Sequence, residues 1–117
     1  EKGDLLIGVT ATGETTSVLG TASYALDAGA RVYMIVCTKP ESIINKLERA
    51  NTVYNHKNCS SLYIPCGGMA VTGSTRMQSS SLEQATISVA LEMTLNSLLN
   101  ENSDKIKYAE IFLLPVK

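Results

Sequence analysis

The sequence predicts an α/β fold: a parallel sheet with helices on both faces, a flavodoxin-like three-layer sandwich. Three observations lead there. The runs Asp4 to Val9 and Arg31 to Cys37 are apolar without alternation, which suits strands buried on both faces. A segment with helical apolar spacing separates them, giving a strand–helix–strand unit within about 35 residues, the unit that builds parallel sheets. A second helical segment and a third short apolar run, Ser61 to Pro65, then repeat the alternation.

Composition is consistent with that class. The chain has 117 residues, the size of one ordinary domain, and 44% of them are hydrophobic, enough for a core. Aromatic residues are 5%, so the core is aliphatic. A formal net charge of -1 argues against a nucleic-acid partner, which would need a basic face. No run approaches the roughly 20 apolar residues that span a bilayer, so no membrane partner is expected. The charged start, Glu1-Lys2-Gly3-Asp4, is not a signal peptide; without an initiator Met it reads as the beginning of a piece of a longer protein. Cys37, Cys59 and Cys66 are odd in number and show no C-x-x-C spacing. Free thiols in the cytoplasm, with no metal and no cofactor, are the expectation.

The elements follow in order. After the strand Asp4 to Val9 comes a polar turn, Thr10 to Thr15. Val18, Leu19, Ala22, Ala25 and Leu26 mark a helix from Ser17 to Asp27, and Gly29 stops it. The strand Arg31 to Cys37 is followed by Thr38-Lys-Pro-Glu41, a helix start with early Pro and an acid in the first turn. That helix is expected to reach about Ala50, with Asn51 to Ser60 a polar connector. Beyond the strand Ser61 to Pro65 and the break at Cys66-Gly-Gly68 lies a second polar turn, Thr72 to Arg76. One of Ser79, Ser80 and Ser81 is expected to cap a long helix from Leu82 to Asn100. Its apolar residues cover most of its circumference, which predicts burial or a subunit interface. Ile111 to Leu114 reads as a last strand.

The first turn carries the chemistry. Thr10-Ala-Thr-Gly-Glu-Thr-Thr16 joins a buried strand to a helix, and ligands of open parallel sheets bind outside the carboxyl ends of the strands. A helix N-terminus there offers backbone N–H groups and partial positive charge to a phosphate. Gly13 would let the backbone approach, and Thr10, Thr12 and Thr15 would add hydroxyl donors. Neither a Walker loop nor G-x-G-x-x-G is present. The bland alternative is that Thr15 or Thr16 merely caps the helix. Glu14 is either a sugar-hydroxyl acceptor or an acid favoured by the helix dipole. In the second turn Arg76 brings a fork of donors suited to phosphate; alternatively it is a surface arginine. His56 reads as a surface residue, and Cys66, with no basic neighbour in sequence, as an inert thiol. Glu83 and Glu92 read as the solvent stripe of the last helix.

Two segments resemble a known family. Ile7-Gly-Val-Thr-Ala-Thr-Gly-Glu-Thr-Thr16 resembles the S-x-S-G-x-T phosphate turn of sugar isomerase (SIS) domains, with Thr for two of the serines. Gly68-Met-Ala-Val-Thr-Gly-Ser-Thr-Arg-Met77 resembles the G-P-E-V-x-T-G-S-T-R-M segment of the branch that holds N-acetylmuramic acid 6-phosphate etherases and glucokinase regulatory proteins. The order and spacing agree over nearly the whole chain, which looks like the later part of one SIS domain spanning residues 1–117. The resemblance implies a site for an amino-sugar or hexose 6-phosphate made of Thr10, Thr12, Gly13, Glu14 and Thr15 with Thr72, Gly73, Ser74, Thr75 and Arg76. It also implies an SIS partner half or a second copy. Met69 stands where the branch has glutamate, and a thioether cannot accept a proton. Thr38 to Ser60 is longer than in the etherases and comparable to the helical insertion of the regulators. The family's acidic catalytic residue lies upstream of the segment this chain matches, so no residue here is assigned catalysis.

The expected function is therefore a phosphosugar sensor or regulator, with a kinase partner if it is regulatory. The alternatives are part of an etherase-like lyase, or a dimerisation module whose pocket has decayed.

Overall fold

The computed structural model describes residues 1–68, 71 and 77–99. It is α/β, with strands β1 (Leu5–Val9), β2 (Arg31–Val36) and β3 (Cys59–Tyr63) and helices α1 (Thr16–Asp27), α2 (Pro40–Ile44), α3 (Glu48–Tyr54) and α4 (Gln78–Leu99). The strands form a parallel sheet in the order β1-β2-β3, with Leu5 opposite Arg31 and Val36 opposite Tyr63. The expected α/β class with a parallel sheet is the class observed. By compactness the chain divides into two units, Glu1–Glu83 and Gln84–Lys117.

The core of the first unit lies on one face of the sheet. Leu19, Ala22 and Leu26 of α1 pack with Val32 and Met34 of β2, Ile43 of α2, and Ala50 and Val53 of α3. The 19-22-26 spacing puts all three α1 residues on one side of the helix. Each buried leucine is worth about 1.5–3 kcal/mol relative to exposure. Gly29, at φ +84°, ends α1: its N–H donates to Leu26 O at 2.9 Å and Ala30 N–H to Ala25 O at 3.0 Å, turning the chain into β2.

Three expectations change. The helix expected from Thr38 to Ala50 is two helices, broken between Asn45 and Leu47. The break lets Ile43 (1% exposed) and Ala50 and Val53 (0%) all reach the core, while Leu47 stays 38% exposed. The polar connector expected from Asn51 is instead the rest of α3, because Val53 and Tyr54 continue the buried stripe begun at Ala50. Finally, burial of the strands on both faces is not what the described residues show. Leu5, Ile7, Tyr33 and Leu62, which share the face away from the core cluster, are 58%, 44%, 46% and 49% exposed.

The helix expected over residues 82–100 begins at Gln78. Its buried residues are Ser79 and Glu83, whereas Leu91, Leu95, Leu98 and Leu99 are 55–80% exposed, so the burial expected from composition is absent among the described residues. Glu83, read as part of a solvent stripe, is one of its two buried residues. No helix among them is long and apolar enough to cross a membrane. The strand expected at Ile111 to Leu114 lies outside the described residues.

Candidate phosphate-binding turn

The Thr10 to Thr15 turn leaves the carboxyl end of β1 and leads into α1. It is anchored to the neighbouring strand: Thr10 N–H donates to Ile35 O at 3.0 Å, and Cys37 N–H donates to Ala11 O at 3.1 Å. Thr38 Oγ1 donates to the same Ala11 carbonyl at 3.2 Å. Gly13 N–H closes the turn on Thr10 O at 3.2 Å.

Threonine hydroxyls divide between holding the turn and facing outward. Thr10 is buried, and its Oγ1 lies 2.7 Å from Thr15 Oγ1. Thr15, in the capping position, makes no side-chain hydrogen bond to the helix. Its hydroxyl is taken by Thr10, so the first-turn N–H groups of α1 have no side-chain cap, and a helix start leaves such donors without intrahelical acceptors. The plain capping role considered for Thr15 is therefore not the role it plays. Thr12 is exposed; its Oγ1 accepts a long 3.4 Å hydrogen bond from Glu14 N–H, which leaves its own proton free to donate. Glu14 is exposed, precedes α1, and forms no ion pair among the described residues.

Gly13 is required by packing inside the protein. Its φ is +75°, and a Cβ there would run into Ile43 Cδ1 and come within 2.9 Å of the Tyr54 hydroxyl. Tyr54 Oη also donates to Gly13 O at 3.2 Å. Burial, and then the nearby Cys59, push the Tyr54 hydroxyl up to about 12, so it stays a donor at neutral pH. Sequence reasoning missed Tyr54, because it fell in what read as connector.

An open cleft of about 520 Å³ adjoins the start of α1, bounded by Glu14, Thr16, Leu47, Glu48, Arg49 and Thr52. Arg49 is exposed and has no ion pair among the described residues; it is the cleft's cation. Of the second turn, Thr72, Gly73, Ser74, Thr75 and Arg76 lie outside the described residues, as does Met69. Among the described residues no group of three or more His, Cys, Asp or Glu side chains is placed to hold a metal ion.

A strand end, a hydroxyl-rich turn and an uncapped helix start in one place suit an anion. The chain is similar to N-acetylmuramic acid 6-phosphate etherases. The one from Burkholderia lata is 30% identical over 105 residues, covering 84% of this chain and 31% of that protein. Those from two Clostridium botulinum strains, Langeland and Loch Maree, are 33% identical over 88 residues, covering 75% of this chain and 26% of theirs. The chain thus spans less than a third of the length of these etherases. No protein-family model and no solved structure matches it.

Proposed function

We propose that this chain is the later part of an SIS-like domain and binds a sugar phosphate, with the phosphate at the start of α1. The observation that carries this is the N-terminus of α1, whose first-turn N–H groups no side chain caps, with the exposed Thr12 in the turn that leads into it. Partial positive charge at a helix start stabilises an anion there. Arg49 adds a charged donor on the neighbouring cleft wall; that Thr72, Gly73, Ser74, Thr75 and Arg76 complete the site is what the family resemblance implies.

The finer reading is a sensor or regulator that binds without turnover. Met69 supports it, since no proton acceptor stands where the branch has glutamate. A kinase partner would belong to that reading. The similarity to etherases favours a second one, in which the whole protein is an etherase and this chain supplies the phosphate end of its site. Three free thiols fit a reducing compartment such as the cytoplasm. The exposed residues Leu91, Leu95 and Leu98, at helical spacing on α4, support self-association; light scattering at micromolar concentration should show more than a monomer, and a monomer would remove that part of the reading.

Calorimetry with glucosamine 6-phosphate, fructose 6-phosphate and N-acetylmuramic acid 6-phosphate, on the full-length parent protein, tests the site. At least one should bind, and Thr12→Val should weaken it by about 1–3 kcal/mol, the loss of one hydroxyl donor to a charged oxygen. Binding of none, or unchanged binding by Thr12→Val, would reduce the turn to a connection.

A further inference from the structure

Four polar side chains converge past the ends of β2 and β3. The parallel register sets Val36 opposite Tyr63, and Ile64 N–H donates to Val36 O at 2.8 Å, so Cys37 and Cys66 emerge on the same side of the molecule. The start of α4 meets them there. Ser79 and Glu83, one helical turn apart, are 0% and 7% exposed. The Cys37 thiol donates to Glu83 Oε1 at 3.7 Å, and Cys66 Sγ lies 3.3 Å from Ser79 Oγ. Cys66 and Ser79 both lie close enough to Cys37 to act on its thiol. Two thiols therefore meet the same start of α4, Cys66 against Ser79 and Cys37 against the buried Glu83 carboxylate one turn on. The third cysteine, Cys59, pairs with Val32 at the opposite end of the sheet.

We propose that Cys37 and Cys66 are a reversible redox pair, which a small disulfide such as oxidised glutathione closes into a bridge tying the ends of β2 and β3 together. Cys37 and Cys66 are both partly exposed, and of the two it is Cys66 that acts first. Its thiolate attacks one sulfur of the oxidant, making a mixed disulfide and releasing one glutathione, which takes up the proton Cys66 gave. Cys37 then passes its proton to the Glu83 carboxylate. Its sulfur attacks the Cys66 sulfur and expels the second glutathione, to which Glu83 returns the proton. Two protein thiols are oxidised, and one glutathione disulfide is reduced to two thiols.

The order of steps follows from the surroundings. Burial first, and then the neighbouring Cys66 and Glu83, push the Cys37 thiol up to about 12, which makes it a poor first nucleophile. Burial likewise raises the Glu83 carboxyl, which makes its anion a better base for that thiol. The bridge would reach the first turn, because Cys37 N–H and Thr38 Oγ1 both hold Ala11 O. None of this depends on what the turn binds.

The test is to equilibrate the full chain in buffers of reduced and oxidised glutathione, quench with acid, alkylate the remaining thiols and map the peptides by mass spectrometry. A Cys37–Cys66 cross-link with Cys59 alkylated is expected, and Cys59→Ser should give the same bridge. Glu83→Gln should slow conversion of the mixed disulfide to the bridge several-fold. A bridge through Cys59, or a Cys66 that stops at the glutathione adduct while Cys37 is alkylated, would overturn the pair; an unchanged closure rate in Glu83→Gln would overturn the part given to Glu83.

Discussion

On its inner side, the turn from Thr10 to Thr15 is as tightly held as the core. Gly13 sits against Ile43 and Tyr54, Thr10 is 5% exposed, and the carbonyls of Ala11 and Gly13 each accept a side-chain hydrogen bond. On its outer side, Thr12, Glu14, Thr16 and Ser17 are exposed, and no side chain caps the helix. The inner side fixes the shape of the turn; the outer side is then free to present donors. A substitution inside should act on stability, and one outside on binding.

Gly13→Val is expected to have the largest effect. It combines a left-handed φ with a collision against Ile43 and Tyr54, a cost of about 3 kcal/mol or more. Urea denaturation should show it, and Gly13→Val is thus a poor probe of ligand contact. Wild-type stability in this variant would break the distinction between the two sides. Thr12→Val, on the outer side, should leave the urea midpoint in place while binding weakens as stated above. A midpoint shift as large as that of Gly13→Val would show that Thr12 belongs to the inner side.

Tyr54→Phe sharpens the comparison with a smaller step. It removes the 3.2 Å donor to Gly13 O and little else, so a loss of about 1 kcal/mol in stability is expected; no loss would mean that packing alone holds Gly13. Smallest is Gly20→Ala. Gly20 lies within α1, and a Cβ there meets nothing within 4 Å, so helix propensity should raise stability by about 0.5–1 kcal/mol. A destabilised Gly20→Ala would mean that glycines of this chain are sensitive for some reason other than contact and φ.

Periodicity made the strand–helix–strand unit legible, because Val18, Leu19, Ala22 and Leu26 repeat at helical spacing and the flanking runs do not alternate. It also made the Thr10 to Thr15 turn legible as a place where a strand hands over to a helix. It failed at residues 45–54, where one helix was expected to reach Ala50 and a connector to follow. Whether a helix continues or breaks there depends on where the sheet presents its core surface, a long-range condition that local spacing does not contain.

The sequence by itself determined the alternation of elements, the aliphatic core and the hydroxyl-rich turn, since these are properties of neighbouring residues. Tertiary structure alone decided the role of each group. It turned Thr15 from a helix cap into a partner of Thr10, and brought Tyr54 from 41 residues away onto Gly13. It also set Cys66 against Ser79 and Cys37 against Glu83. Hydrogen bonds and burial between distant segments exist only once the sheet has formed, and in a parallel sheet the ends of successive strands meet only through the crossovers between them.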